Sequence, residues 1–305
     1  MARSRTASYE KIGIKLSPDT TLEQAAAMIY PEVLVEQQIA PLGSTDIIPD
    51  KKAIIAFNTS TNEYKYISTV GNNYGLVQPY DSIKDMQSYL DSNDLKLTYG
   101  GKLDGGKKMF LLSDVWNTET EIVKGDVVKL SILRSGSFDG TSKDRYDGII
   151  QRLVCTNGMK IDEIAFSLSF KHTARIHEKI ESARDHILNA IAAFKKQTEK
   201  MKHLASKKVT NEQIKTFVRN VIVTNEEPIN TRTENTINSI IELAHDGAGM
   251  ELVPAVRGTA WAAFNAVTEY TTHEYGRNDD SRLQAQWFGA SAKLNNRAME
   301  LALAM

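Results

Sequence analysis

The spacing of apolar residues along this chain changes once. Between residues 51 and 155 apolar and polar positions tend to alternate in short runs, and from residue 173 onward apolar positions recur at steps of three and four. In the first half, the runs 52–57 and 64–70 flank the polar turn 58–62 and predict a hairpin. A second pair, 95–103 and 107–113, flanks Asp104-Gly105-Gly106. Asp-Gly between apolar runs is a strong hairpin signal because both turn positions accept a positive φ. Two further strands are expected at 127–134 and 148–155, joined by the long polar loop 135–145, in which Phe138 reads as exposed. Between the hairpins, Ile83, Met86, Tyr89 and Leu90 share one face of a helix over 81–90. Thr21 and Gln24 spell a capping box ahead of Ala25-Ala26-Ala27.

In the second half, Ile176, Ile180, Ala183, Ile187, Ala190, Phe194, Met201 and Leu204 form a narrow stripe with a polar gap at Gln197–Thr198. Such a stripe predicts a long helix packed in a bundle or coiled coil. Three or four more helices follow, broken at Pro228, at 247–249 and at Gly276. The expected fold is α+β: an antiparallel β-sheet with hairpins and one or two helices, then a long helix and a C-terminal helical bundle. The expected division is an N-terminal segment 1–50, a β-rich domain 51–170, and an α-helical region 171–305 packed on or beside it.

Charge sharpens this picture. The 305 residues carry a formal net charge of −1, but residues 171–208 carry +6 and both acidic flanks, 1–128 and 209–305, carry −4. A near-neutral total excludes a globally basic coat protein and leaves room for a local basic face. No apolar run approaches the roughly 20 residues that span a bilayer, and no apolar segment follows Arg3 and Arg5 as a secretory leader requires. A cytoplasmic location away from membranes is expected. The one cysteine, Cys155, sits in an apolar strand and reads as an inert core thiol.

Three catalytic patterns fail on their details. Gly101, Gly106 and Lys107 nearly spell a phosphate-binding loop, but Lys108 stands where Ser or Thr must hold magnesium, and a strand follows instead of a helix. Asp50, Glu63 and Lys65 resemble a nuclease set. In a hairpin centred near Ser60, however, Asp50 falls about five residues, roughly 17 Å, from the other two. None of His172, His177, His186, His203, His245 and His273 pairs with another at the i, i+4 spacing of helical zinc ligands. No catalytic residue, metal or cofactor is expected.

Nucleic-acid binding keeps more support. Lys195, Lys196, Lys200, Lys202, His203, Lys207 and Lys208 crowd the end of the long helix, as a solvated helix end or as a phosphate-binding ridge. Upstream, Lys102, Lys107, Lys108, Arg134, Lys143, Arg145 and Arg152 lie in hairpins and loops near Tyr99, Phe138 and Tyr146, with Lys171 and Arg175 following. Cations interleaved with rings suit single strands, whose phosphates meet the charges while bases stack.

Several segments carry a family resemblance: residues 70–79, 100–108, Ser137-Phe138-Asp139-Gly140-Thr141, Leu153-Val154-Cys155-Thr156-Asn157-Gly158 and Lys171-His172-Thr173. The most specific is 257–270, with Arg257, Trp261 and Asn265, followed by Arg282 and Trp287-Phe288-Gly289. Together they resemble the phage/plasmid-like protein family, domain of unknown function 932. Similar proteins usually carry His where this chain has Phe138, and often Gln-Asn where it has Thr156-Asn157. Both departures weaken an enzyme reading. The resemblance implies a mobile-element setting, and the order of elements is similar in outline to phage single-strand annealing proteins. The leading expectation is therefore a single-stranded DNA-binding protein of phage or plasmid type, acting as a homo-oligomer in strand annealing. One alternative is a regulatory or structural partner protein that presents Trp261, Phe264, Trp287 and Phe288. Another is an enzyme using Asp139, Lys143, Asp144 and Arg145.

Overall fold

A computed structural model describes residues 6–91, 95–154, 157–160, 168–170, 183–224 and 229–305. The fold is α+β, with antiparallel sheets in the N-terminal half and helices dominating the C-terminal half. The N-terminal segment holds α1 (Ser8–Ile12), the short β1 (Ile14–Lys15) and α2 (Leu22–Ile29). Thr21 caps α2 as its sequence predicts: its hydroxyl accepts from the Gln24 amide, and the Gln24 side chain returns to the Thr21 amide.

Strands β2 (Val33–Gln38), β3 (Lys51–Asn58) and β4 (Glu63–Gly71) form a three-stranded antiparallel sheet in that order. The hairpin register pairs Asn58 with Glu63 and Ala56 with Lys65, half a residue beyond the turn centre at Ser60 expected from sequence. Helix α3 (Pro79–Asp91) then buries Ile83, Met86, Tyr89 and Leu90, the face its spacing predicts.

The larger sheet runs β1, β5 (Leu97–Leu103), β6 (Lys108–Asp114), β8 (Asp126–Ser137), β9 (Asp144–Arg152), β10 (Asn157–Met159). β7 (Thr120–Val123) shares β8 with β6, and β11 (Leu168–Phe170) shares β9 with β10. The β5–β6 turn is one 3₁₀ turn, with Asp104, Gly105 and Gly106 all at positive φ. That tight reversal excludes the phosphate-loop geometry, in which the glycines would lead into a helix.

Strands β8 and β9 extend into the segment that reads as a loop. Ser135, Gly136 and Ser137 continue β8 and Asp144–Arg145 begin β9, so only 138–143 connect them. Ladder pairing of Ser135 with Arg145 outweighs the weak strand propensity of the Ser-Gly sequence. Phe138 folds back onto Tyr30, edge-on at 5.3 Å, and is buried.

Alternation sends the two faces of this sheet into different layers. Leu103, Phe110, Leu112, Leu133 and Ile149 meet Tyr9 of α1 and two side chains of a late helix, Leu283 and Trp287. Met109, Leu111, Ile132, Tyr146 and Ile150 belong to the larger core, with α2, α3 and the inner face of the three-stranded sheet.

The helical half comprises α4 (Ala183–Ser206), α5 (Asn211–Ile222), α6 (Thr231–Asp246), α7 (Ala248–Leu252), α8 (Ala260–His273), α9 (Asp279–Phe288) and α10 (Ala290–Ala304). Ala190, Phe194, Met201 and Leu204 are buried along α4, and so are Gln197 and Thr198, where the sequence predicts a polar gap. Thr198 is accommodated by donating to the Lys195 carbonyl one turn back. The N-terminal part of the stripe, Cys155 and Pro228 lie outside the described residues.

Helix α8 is the hub of this half. It is buried on nearly every side and touches α4, α5, α6, α7, α9 and α10. Its apolar and small polar composition, without an exposed charged stripe, fits a central helix. Among the described residues no helix is long and apolar enough to cross a membrane.

Candidate nucleic-acid interface

The residues singled out from sequence fall into three groups. The first is buried structure. Arg134 is enclosed: it donates to the Ser82 carbonyl, lies 3.1 Å from Asp144 and 3.9 Å from Asp85, and stacks 5.3 Å from the Tyr146 ring centre. Burial opposes its charge, but Tyr146, Asp144 and Asp85 hold it protonated even beyond the ordinary arginine range. Burial in turn pushes the Tyr146 phenol up to about 12, although Arg134 pulls it down.

Arg152 is fully buried and forks onto Asp126, Nε to Oδ1 at 2.6 Å and Nη2 to Oδ2 at 2.7 Å. Neither arginine can reach a phosphate, and buried Phe138 offers no ring face to a base. Their sequence context hid this. An arginine inside a strand looks the same whether its carboxylate partner lies across the sheet or in solvent.

The second group is partly engaged at the surface. Lys102 sits over the Tyr30 ring and binds both Glu32 oxygens, at 2.5 and 2.7 Å. Lys107 lies 4.0 Å from Asp104, an exposed pair that holds little of its charge. Lys171 and Arg175 lie outside the described residues.

The third group converges. Lys108, Lys143 and Arg145 line one cleft of about 540 Å³ together with Ser135, Thr141 and Phe288. Lys108 leaves the β5–β6 turn and donates to Gln284 of α9 at 2.9 Å. Lys143 is exposed at the end of the short β8–β9 connection. That connection is pinned by reciprocal bonds between Ser137 and Ser142, and by Thr141 donating to Asp139. Arg145 leans 3.5 Å from buried Asp147, while its Nε is buried with no hydrogen-bond partner among the described residues.

Among the described residues, no Asp or Glu lines this cleft. The nearest acid in sequence, Asp144, turns through the sheet to Arg134; its carboxylate lies so close under Gly136 that a Cβ there would meet Oδ1. Asp144 therefore adds nothing to a polar set with Lys143 and Arg145 on the cleft side. Phe288, half-buried at the end of α9, completes one wall. Sequence reasoning grouped it with the helix aromatics, because nothing in its spacing links it to residues 108–145.

The basic end of α4 contributes no residue to this cleft among the described residues. α4 meets the sheet at β7, which pairs with Val127 and Val128. Val128 lies seven residues along β8 from Ser135, roughly 24 Å at the strand rise. Lys195 and Lys196 are exposed, Lys202 pairs with Glu199 at 2.8 Å, and Lys208 reaches the Arg257 carbonyl at 3.4 Å.

Residues 66–287 match the family described as domain of unknown function (DUF932), nearly three-quarters of the chain. The chain belongs to the DUF932 family. No curated protein and no solved structure matches it. The DUF932 match spans most of the large sheet, part of β4 and the bundle as far as Trp287.

Its most specific signature proves architectural. Trp261 donates Nε1–H to Asp126 at 2.8 Å, Asn265 donates to the Trp261 carbonyl at 2.8 Å, and Trp287 packs edge-on against Phe110 at 5.1 Å. Arg257 donates to the Met250 carbonyl at 3.3 Å. Arg282 ties the Tyr275 carbonyl to Asp279 at 2.7 and 2.6 Å. Trp261, Phe264 and Trp287 are all buried, so the aromatic surface expected of a partner protein reduces to Phe288.

Proposed function

We propose that this DUF932 protein binds single-stranded DNA through the Lys108–Lys143–Arg145–Phe288 cleft, in the strand-handling work of a phage or plasmid. One observation carries the reading: three cations converge beside an aromatic ring in a cleft where no carboxylate is found among the described residues. The cations meet phosphates and the ring takes a base face, the pairing that sequence-tolerant single-strand binders use. A cleft of about 540 Å³ accommodates a group of nucleotide size. Strand annealing by a homo-oligomer follows as an extension, because binding along the backbone leaves base edges free to pair. No catalytic group is required.

The test is fluorescence anisotropy with labelled single- and double-stranded oligonucleotides at two salt concentrations. Neutralising three phosphates on a single strand gives a slope of roughly −2 in log affinity against log salt, or about twentyfold weaker binding for a fourfold rise in salt. Lys143→Ala with Arg145→Ala should weaken single-strand binding and flatten that slope. Equal affinity for duplex, or affinity indifferent to salt, rejects the proposal. Light scattering on the bound and free protein reads the oligomer.

A further inference from the structure

A second cleft, of about 610 Å³, opens in the helical half where α5, α6, α8, α9 and α10 converge. Its apolar and aromatic walls are Ile222 at the end of α5, Leu294 of α10, Tyr270 of α8 and Tyr275 just beyond α8. The two phenol rings meet edge-on at 6.3 Å and 78°. Two arginines complete the lining, Arg232 in the first turn of α6 and Arg277 in the turn from α8 to α9. Both are exposed, and neither guanidinium has an ion pair or hydrogen-bond partner among the described residues. Arg134 and Arg152, by contrast, are committed to carboxylates.

The backbone fixes where these groups stand. Gly276 takes a φ of +85°, and a Cβ there would lie 3.2 Å from Ser281 Oγ and 3.3 Å from the Arg282 amide. Ser281 Oγ accepts from the amides of Arg277 and Asn278, each at 3.2 Å, which pins the turn. The Tyr270 hydroxyl lies 3.3 Å from that of Thr236 on α6. The acids that follow Arg277 are engaged elsewhere. Asp279 accepts from Ser8 of α1 at 2.9 Å and from Arg282 at 2.6 Å, and Asp280 accepts from the Asp104 amide at 2.8 Å. One carboxylate lines the cleft among the described residues, Glu274, and it accepts from Ser239 of α6 at 2.7 Å. Two arginines against one carboxylate leave the lining positive.

Positive charge beside ring walls suits an anion that carries a planar group. Guanidinium forks match the oxygens of a phosphate. A phosphate monoester carries about −1.5 to −2 charges at neutral pH, which two arginines balance, whereas each phosphate within a DNA strand carries one. We propose that this cleft binds a nucleoside monophosphate, its phosphate held by Arg232 and Arg277 and its base against Tyr270 and Tyr275. The site is separate from the single-strand cleft. Phe288 of that cleft ends α9 and Arg277 precedes its start, so the length of α9, about 14 Å at the helical rise, lies between them. The proposal does not rest on the single-strand reading.

Isothermal titration calorimetry compares adenosine 5′-monophosphate, adenosine and inorganic phosphate on wild type, Arg232→Gln/Arg277→Gln and Lys143→Ala/Arg145→Ala. Wild type should bind the nucleotide more tightly than either fragment. The glutamine pair should bind the nucleotide at least about tenfold more weakly and no longer distinguish it from adenosine. Its melting curve should match wild type, because both side chains are exposed and neither holds a bond among the described residues. The Lys143→Ala/Arg145→Ala pair should bind the nucleotide as wild type does. No binding of the nucleotide by wild type overturns the proposal. Adenosine or inorganic phosphate bound as tightly as the nucleotide overturns it, and so does a glutamine pair with unchanged affinity. If the nucleotide is lost only by the Lys143→Ala/Arg145→Ala pair, it sits in the single-strand cleft and the second site is overturned.

Discussion

Replacing Asp126 by alanine tests how the sheet is fastened to the helical half. Its carboxylate accepts two bonds from Arg152 and one from the Trp261 indole, and all three residues are fully buried. Asp126 and Arg152 belong to β8 and β9, and Trp261 to the hub helix α8. Truncation takes a bidentate carboxylate away from a buried guanidinium, and breaking a buried pair costs about 3–5 kcal/mol. It also strips the indole N–H of its acceptor, worth about 1–3 kcal/mol when buried. The two losses share one carboxylate and do not simply add, so the expected total is about 4–6 kcal/mol. Urea denaturation followed by circular dichroism and by tryptophan fluorescence measures it. A loss under about 1 kcal/mol for Asp126→Ala would show that this carboxylate does not fasten the sheet to the helical half.

Two further outcomes follow from the same core. Gly249→Ala should cost about 1–3 kcal/mol, since the new Cβ would lie 2.3 Å from Arg152 Nη1, which Asp126 prevents from retreating; a melting curve equal to wild type contradicts this. At alkaline pH, burial raises the phenols of Tyr9, Tyr30, Tyr74, Tyr89 and Tyr146, the last to about 12. The folded state therefore favours the neutral form. Its stability is intact below the ordinary tyrosine range near 10 and falls as pH rises from there toward 12 and beyond. Tyrosinate absorbance from these residues should appear together with loss of circular dichroism. Their ionisation near pH 10 in a still-folded protein would contradict it.

Local signals carried the elements. Thr21 and Gln24 marked a helix start, Asp104-Gly105 a reversal, and the spacing of Ile83, Met86, Tyr89 and Leu90 a buried face, because each depends on neighbours within a few residues in sequence. Segments that depend on distant partners read less well. Ser135-Gly136-Ser137 has loop composition yet pairs as strand, since the ladder to β6 and β9 supplies its hydrogen bonds. Gln197 and Thr198 look like a gap in an apolar stripe yet are buried.

The candidate site divides in the same way. The α+β class, the family, and a set of cations with aromatic residues among them were all legible in the order of residues. Which cations face solvent was not, because charge alone does not reveal whether a carboxylate waits across the sheet. Folding committed Arg134 to Asp144 and Arg152 to Asp126, turned Phe138 inward, and carried Phe288 from the far end of the chain to the side of Lys108, Lys143 and Arg145. Burying a charge is tolerable only beside its partner, and only the folded chain decides which charges have one.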